Sequence, residues 1–570
     1  MNKKELTKIL EKSVNLKKEE IESLIEIPQK PELGDFAFPC FKLASILKKN
    51  PLEIAKGLEK EIKPQKGIIK VQAQGPYLNF FLDRKTEAQE LFEKVDKNYG
   101  KENIGKNKRI VIDFSSPNIG KPMHVGHIRS TIIGDCLIRT YDYLGYETIG
   151  INFLGDTGLH IGKLIVAWEL WLDKKALIKD PIAELLRLYV KFCENEKSQI
   201  QEGTDEESDD AANYENNEWT KKAKEKLKLI ELGDKETHKI WEEIKIASGK
   251  GFDRVYKILN VKFTETTGPS KFGEIGKEII FNAEKKGLAK IEKSGAVYVE
   301  FPSEKLPKKY ILRSNGTASY ITYDIGAAVE RAKKYKFDKM IYVTDYRQGG
   351  HFEQLFSILK IFGYDFSEKL EHIGHGTVNF EKEIFATREG KVILLEDVLK
   401  KTIQKAKEEI EKRKTNGNPE KVAVAAVKYI ILRNEPVKDV EFSWDAALNF
   451  EGDSGPYLQY SYARASSIIN KAKKTKNKIE IPNRIEPSEI ALIKKIKDFP
   501  QIAKQVSEKL NPQLMANYAF QLSQIFNEFY TNCKVLESEN EAFRIKLVDC
   551  FRITLKNALY LLGIEVMEEM

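Results

Sequence analysis

Cysteine is scarce: 5 residues among 570, at positions 40, 136, 193, 533 and 550, and no CxxC pair. Their odd number and wide spacing speak against both a disulfide framework and a cysteine-rich zinc site. Long apolar runs are missing too, since no uninterrupted stretch approaches the ~20 residues that a spanning helix needs. The segment Met1-Asn-Lys-Lys-Glu5 opens an amphipathic helical pattern without an apolar h-region, so the expectation is a cytoplasmic protein with no membrane role. One-sided charge is also absent. Lys and Arg number 94 against 86 Asp and Glu, a net charge of +8, which permits a polyanionic partner without demanding one. No G-x-G-x-x-G opens a strand-linked helix, so nicotinamide binding has no support. Gly100 to Lys106 has P-loop spacing, but Asn107 replaces the magnesium-binding hydroxyl and the segment precedes its strand. What remains is ample: 41% hydrophobic and 32% charged residues make a sizeable core under a charged surface, for about four domains at ~150 residues each.

Residues 1 to about 85 read as a small α+β module. Leu6, Leu10 and Val14 have helical spacing, Pro28 to Pro39 breaks it, a helix starts near Phe41, and Ile68 to Phe81 forms paired strands around Gly75-Pro76. A helix over Lys85 to Val95 and a polar stretch follow. Arg109-Ile-Val-Ile-Asp-Phe-Ser115 is a β-branched run suited to a buried parallel strand. After a loop comes a helix with apolar positions Ile128, Ile132, Cys136 or Leu137, Tyr141 and Leu144, closed by Gly145, then a strand at Thr148–Phe153. Strand, loop, helix and strand argue for an α/β doubly wound sheet with its ligand at the strands' carboxyl ends. The middle is mostly helical and carries an acidic run, Glu202 to Asp210, read as a solvated insertion. Sheet-like segments return at Ala296–Phe301, Tyr310–Leu312 and Lys339–Val343; from Pro436 onward the chain is almost entirely helical.

The strongest local signal is Ser115-Ser-Pro-Asn-Ile-Gly-Lys-Pro-Met-His-Val-Gly-His127. Two histidines open a helix directly after a buried strand, where free N–H groups and the helix dipole attract anions. Gly126 between them lets a flat group approach the backbone, and imidazole N–H groups can meet charge developing on phosphate oxygens. Zinc ligation is the alternative, but no third Cys, His or Glu lies at a helical offset. A second HxxH, His372-Ile-Gly-His375, is read as a structural pair near a sheet edge.

The loop through His127, continuing Ile128-Arg-Ser-Thr-Ile-Ile-Gly-Asp135, resembles the HIGH region of class I aminoacyl-tRNA synthetases, and specifically the arginyl-tRNA synthetase family. The resemblance extends, in order, through Ser314–Asp324, Arg347-Gln-Gly-Gly-His-Phe352, Glu451–Tyr460 and the helical carboxyl terminus ending Leu562–Met567. Gly34-Asp-Phe36 and Gly75–Phe80 are similar to that family's additional amino-terminal domain. It implies three parts: an N-terminal tRNA-elbow-binding domain plus linker over 1–104, a Rossmann-like catalytic domain over 105–435 with an acceptor-end insertion at about 160–300, and an all-α anticodon-binding domain over 436–570. A non-catalytic tRNA-binding paralogue would lack the histidines or the arginine clamp. A nucleotidylyltransferase would not need the terminal domains, and a cysteine-specific synthetase would want zinc-binding cysteines.

The implied activity is ATP-dependent activation of L-arginine to arginyl-adenylate, then transfer to the 3′ adenosine of tRNA(Arg), with AMP and pyrophosphate released. Substrates and partners are thus ATP, Mg²⁺ with the ATP, L-arginine and tRNA(Arg); no structural zinc and no obligate protein partner are expected, and the family expectation is a monomer. The resemblance places His124, Gly126 and His127 on ATP. The loop corresponding to the family's KMSKS segment, Phe385-Ala-Thr-Arg-Glu-Gly-Lys391, departs from that pattern: Arg388 keeps one cation, and Lys121 takes the place of the missing lysine. Arginine recognition falls to Asp113 and Asp324 with Tyr320 at the guanidinium, Asn118 and Gln348 at the α-amino and carboxylate end, and Ser115 beside them. Asp113 stands where the family pattern leads one to expect the longer Glu, and Asp324 could instead cap a helix over Ile325 to Lys334. Asp35 and Phe36 are the implied elbow contacts, Tyr530 and Met570 the implied anticodon contacts; Tyr518, Phe529 and Tyr530 could stack on single-stranded bases, but Phe526 and Phe529 sit three apart as a buried face demands, and core is the reading for most of these aromatics. The family's need for bound tRNA before activation is expected here as well.

Overall fold

The computed structural model describes residues 3–28, 30, 33–65, 67–198, 217–302, 306–380, 393–472 and 479–570. The acidic run Glu202–Asp210 and the loop with Arg388 lie outside them. The chain groups into two compact units: Met1–Tyr99 with Ala465–Asp498 and Gln524–Thr554, and Gly100–Arg464 with Phe499–Ser523 and Leu555–Met570. Among the described residues no helix is long and apolar enough to cross a membrane.

In the first unit, β1 (Phe36–Pro39), β2 (Ile68–Gln74) and β3 (Tyr77–Leu82) form an antiparallel sheet in the order β1-β3-β2. β2 and β3 are the paired strands expected around Gly75. β1 lies inside the segment that reads as a break: three prolines punctuate it, and all four strand residues are buried, so no polar–apolar alternation marks the strand. Pro39 is tolerated at the end of an edge strand, where its missing N–H interrupts no central ladder. Gly34 (φ +94) precedes β1; a Cβ there would lie 2.8 Å from the Phe80 carbonyl oxygen. Leu6, Leu10, Ile21, Phe38, Leu78 and Phe80 build the core. Elsewhere in this unit Phe526 stacks on Phe551, with centroids 3.8 Å apart and planes at 5°.

In the second unit, β4 (Arg109–Asp113), β5 (Glu147–Phe153), β6 (Glu265–Thr267), β10 (Lys339–Asp345) and β11 (Leu370–His375) form an all-parallel sheet in the order β11-β10-β4-β5-β6. The chain winds outward from β4 to β6 and returns on β4's other side, so the switch point lies between β4 and β10. Both faces are covered, which is why Ile110, Val111 and Ile112 are all buried. The helix Gly126–Tyr143 follows β4 and buries Ile128, Ile132, Cys136 and Leu137. Between them, β7 (Lys290–Ile291), β8 (Val297–Val299) and β9 (Lys309–Leu312) make a separate antiparallel sheet. Beyond the main sheet, β12 (Val378–Phe380) pairs in parallel with β13 (Val440–Phe442).

Candidate active site

At the switch point the chain leaves β4 through Ser115 (φ 74) and Ser116 (φ 50), two consecutive non-glycine residues in the left-handed region. Each such residue costs on the order of 1–3 kcal/mol, so the surroundings must over-determine the turn. They do. The Ser115 N–H donates to Ser130 Oγ (2.8 Å), and Ser115 Oγ bonds the Tyr256 hydroxyl (2.9 Å) while accepting from Thr131 Oγ1 (2.8 Å). The Ser116 N–H donates to Asn152 Oδ1 (3.1 Å), and its hydroxyl donates to Asp113 Oδ1 (3.0 Å).

The turn then reaches the two histidines. The Gly126 N–H donates to His124 Nδ1 (3.0 Å), which places that ring's proton on Nε2. His127 Nδ1 lies 3.1 Å from the His124 N–H and 3.2 Å from the His124 carbonyl oxygen; in the tautomer that accepts from the N–H, His127 Nε2 is a donor too. The rings pack 3.9 Å apart. A Cβ on Gly126 would lie 2.8 Å from His124 Cε1, so the glycine makes room for His124's own ring to fold back. Burial, reinforced by His124, pushes His127 down to about 3; burial and Lys121 hold His124 below its ordinary value. Both rings are neutral donors near pH 7. Ile393–Leu395 fixes the turn from outside: the Val125 N–H donates to the Ile393 carbonyl (3.1 Å) and the Leu395 N–H to that of Met123 (2.9 Å).

Two carboxylates flank the crevice. Asp113 pairs with Arg331 Nη1 at 2.8 Å, both side chains buried, and the guanidinium sits 4.6 Å over the Phe153 ring. Burial pushes the Asp113 carboxyl up, against the pull of Arg331 and the Ser116 hydroxyl. Asp324 lies in the second turn of the helix Tyr320–Tyr335, its Oδ2 2.7 Å from His351 Nε2. That helix begins five residues before the expected start, at a cap made by Ser319 and Thr322. Asp324 is therefore no N-cap.

Three family models match: "tRNA synthetases class I (R), catalytic domain" over residues 89–444, "DALR anticodon binding domain" over 458–570, and "Arginyl tRNA synthetase N terminal domain" over 2–82. The Arginine–tRNA ligase of Clostridium beijerinckii is 38% identical over 579 residues, covering 100% of both chains. The chain belongs to the arginyl-tRNA synthetase family. The Arginine–tRNA ligase of Halothermothrix orenii is also 38% identical, over 100% of this chain and 99% of its own. Among solved structures, Thermus thermophilus arginyl-tRNA synthetase superposes with a TM-score of 0.78 at 23% identity, covering 100% of each chain. Plasmodium falciparum arginyl-tRNA synthetase reaches 0.78 at 24% identity, covering 100% of this chain and 99% of its own. These last two likenesses are of fold. The class I catalytic domain, the N-terminal domain and the helical anticodon-binding domain read from the sequence are those of this family.

Within the synthetase frame, Asn118 is exposed and aligned with Gly155, where any Cβ would collide with Asn118 Oδ1. Tyr320 is 68% exposed, and its hydroxyl lies 3.5 Å from where a Gly158 Cβ would stand. Gln348 is exposed just past β10, and His351, the partner of Asp324, follows it by three residues. Asp113, Ser115, Asn118, His124, His127 and Gln348 thus gather at the carboxyl ends of two neighbouring strands. Ser115, however, spends its hydroxyl on Tyr256 and Thr131.

The implied elbow contacts are turned inward. Asp35 accepts from the Leu82 N–H (2.9 Å) and pairs with Arg84 and Lys494, each at 2.5 Å; Phe36 is packed in the module's core. Burial alone would raise the Asp35 carboxyl, but Lys494, the Leu82 N–H and Arg84 hold it below the usual range. Both residues hold the module together through these contacts. Tyr530 is 43% exposed in the first unit, and Met570 is half-buried near Gly417 in the second. Tyr518, Phe526 and Phe529 are buried, as core spacing suggested. In the second HxxH, His372 Nε2 bonds Thr344 Oγ1 (2.8 Å) on the edge strand β11, and His375 Nδ1 bonds the Gly376 carbonyl (2.9 Å).

Sequence reasoning missed Arg331, His160 and Tyr189. Arg331 stands seven residues, two helical turns, beyond Asp324, and that spacing was a usable signal. Burial and Lys121 push His160 down to about 4, and its Nε2 is buried without a partner among the described residues. Tyr189, on the helix Pro181–Lys197, lies under Lys121.

Proposed function

We propose that this chain is an arginine–tRNA ligase working as follows. ATP lies along the crevice with its phosphates at the His124–His127 turn, and arginine lies across the β4–β10 boundary. The two Nε2–H groups donate to phosphate oxygens as the arginine carboxylate attacks the α-phosphate in line and pyrophosphate leaves. Being neutral and already oriented, they strengthen most where negative charge grows, which is the differential that lowers a barrier. Lys121 and Arg388 supply cations to the same phosphates, and Mg²⁺ accompanies them on phosphate and water oxygens.

The guanidinium of arginine pairs with Asp324, with Tyr320 alongside. Asp113 is already neutralised by Arg331, so the pocket presents one net negative charge to one guanidinium. A second uncompensated acid would be costly in this dry setting. Lysine, a point charge, cannot satisfy the fork-shaped demand of Asp324 as arginine does. Asn118 and Gln348 hold the α-amino and carboxylate end. The arginyl group then passes to the terminal adenosine of tRNA(Arg). Domain limits near residues 104 and 435, with an acceptor-end insertion at about 160–300, fit this division of labour, and Tyr530 and Met570 are the anticodon contacts.

The observation that carries this reading is the pair of neutral histidine donors at the carboxyl end of β4, beside an acid on the helix that precedes β10. Pyrophosphate exchange with ATP·Mg²⁺ and each standard amino acid, with and without tRNA, tests it. Exchange with arginine alone among amino acids, and only when tRNA is present, is the expected result. Arginine exchange without tRNA removes the tRNA requirement; no arginine exchange under either condition removes the enzyme.

A further inference from the structure

Lys121 and Tyr189 come from separate parts of the second unit: the loop ahead of the His124 turn and the helix Pro181–Lys197. The Lys121 ammonium lies over the Tyr189 ring, 4.6 Å from its centroid. Lys121 is half-buried, and among the described residues it forms no ion pair. The nearby Lys163 takes the carboxylate of Glu196 at 2.5 Å, and Thr220 bonds the other oxygen of that acid at 2.7 Å. Burial holds Lys121 below the ordinary lysine value. The ring face is therefore what compensates this ammonium for the water it has lost. Lys121 still acts electrostatically on His124 and on His160, so the histidine turn is within its field. The seat on the Tyr189 ring is the one the structure shows; phosphates at the histidine turn would offer the same flexible side chain a second.

We propose that Tyr189 is a positioning residue that seats Lys121 on its ring and withholds it from the ATP phosphates until the helix bearing Tyr189 is displaced. The inference rests on the reading of Lys121 as a phosphate-binding cation. A partly desolvated cation–π seat weighs about tenfold in population, ~1.4 kcal/mol, which biases the lysine without locking it. Charge-assisted bonds to phosphate outweigh that bias once the two are in reach. On the proposed reading of residues about 160–300 as the acceptor-end insertion, which includes this helix, the ligand that would move it is the acceptor end of an RNA. Tyr189 thereby links RNA engagement to the chemistry at the histidine turn, through a contact between two side chains.

The test uses the full chain as wild type, Tyr189→Phe and Tyr189→Leu. Phenylalanine keeps the π face, whereas leucine keeps bulk and removes it. Two readouts are taken: ATP·Mg²⁺ binding by calorimetry, and arginine-dependent pyrophosphate exchange with and without tRNA. Tyr189→Leu is expected to tighten ATP binding about tenfold and to bring exchange without tRNA above the wild-type background, leaving the KM for arginine with tRNA unchanged; Tyr189→Phe is expected to match wild type. Adding Lys121→Ala to Tyr189→Leu is expected to erase the gain. A packing role alone would lower exchange with tRNA, raise none without it and leave ATP binding no tighter, and that result overturns the proposal. A gain that survives Lys121→Ala overturns it also, as does equal behaviour of all three chains. If no chain exchanges with arginine while Tyr189→Leu still tightens ATP binding, the seat stands and the arginine reading falls.

Discussion

Arg331 and Asp113 close an ion pair of 2.8 Å at the carboxyl end of β4, with side chains only 4% and 7% exposed. A guanidinium supplied by the protein thus already answers this acid. Removing one partner of a buried pair leaves an uncompensated charge, at a cost of about 3–5 kcal/mol. Arg331→Met is expected to lower unfolding stability by roughly that amount. Asp113→Asn/Arg331→Met removes both charges and is expected to recover a large part of it. Urea unfolding midpoints of both variants and wild type check this; a double variant no better than Arg331→Met would show that the pair carries no such strain.

Lys121→Ala removes a cation from the crevice without touching the arginine end. Arginine activation is expected to fall about tenfold or more, about 1.4 kcal/mol of transition-state stabilisation, with the KM for arginine nearly unchanged. Steady-state exchange at varied arginine and ATP separates the two effects, and wild-type rates in the variant would remove Lys121 from the phosphate site.

The buried histidines set the response to acid. His127, held at about 3 by burial and His124, is neutral in both folded and unfolded chains above the ordinary value near 6.5. Below it the unfolded chain takes up a proton that the folded chain refuses, so stability falls as pH falls, by at most ~1.4 kcal/mol per unit for this group, down to about 3. His127→Gln removes that contribution. Its unfolding free energy, measured by urea at steps between pH 7.5 and 4.5, is expected to decline less steeply than wild type below 6.5; parallel curves would refute the assignment.

Much of this site was legible because local pattern and tertiary role coincide in it. The β-branched run before Asp113 and the spacing of Ile128, Ile132 and Cys136 announce a strand and a helix whatever surrounds them. β6 was illegible for the opposite reason: Glu265-Thr-Thr267 is three polar residues whose strand state comes from pairing with Ile151–Phe153. The same holds for Asp35, whose charge suggests a surface and whose partners Arg84 and Lys494 are distant in sequence. The resemblance implies a site role for Asp113, but its partner Arg331 lies two helical turns beyond Asp324, and only the placing of that helix beside β4 brings them together.

Gly563 (φ +67) tests the seal between the end of the chain and the histidine helix. A Cβ there would lie 2.6 Å from Asp135 Oδ2, in a place that would also displace the Lys428 ammonium. Lys428 is wholly buried and pairs with Asp135 at 3.0 Å. Asp135 stands eight residues beyond His127 on the same helix. Gly563→Ala therefore combines a left-handed backbone that alanine resists with a disturbed buried ion pair, and about 2 kcal/mol or more of destabilisation is expected. Denaturant midpoints measure it, and a variant within ~0.5 kcal/mol of wild type would show that the tail can shift to accommodate the methyl group.

Asp324→Asn tests the proposed arginine clamp directly. The change keeps shape and a hydrogen-bond acceptor while removing the charge that the proposed binding mode sets against the guanidinium. Losing a charge-assisted bond of this kind costs about 1.5–3 kcal/mol, so the KM for arginine is expected to rise by roughly ten- to a hundredfold while the KM for ATP holds. Citrulline supplies the sharper comparison, because it is nearly the same shape without the charge. Its inhibition constant is expected to stay within a few-fold of wild type, so discrimination between arginine and citrulline should narrow by about the arginine loss. Equal weakening of both ligands would mean that Asp324 shapes the pocket without reading the substrate's charge, and Asp113, freed from Arg331, would become the acid to test next.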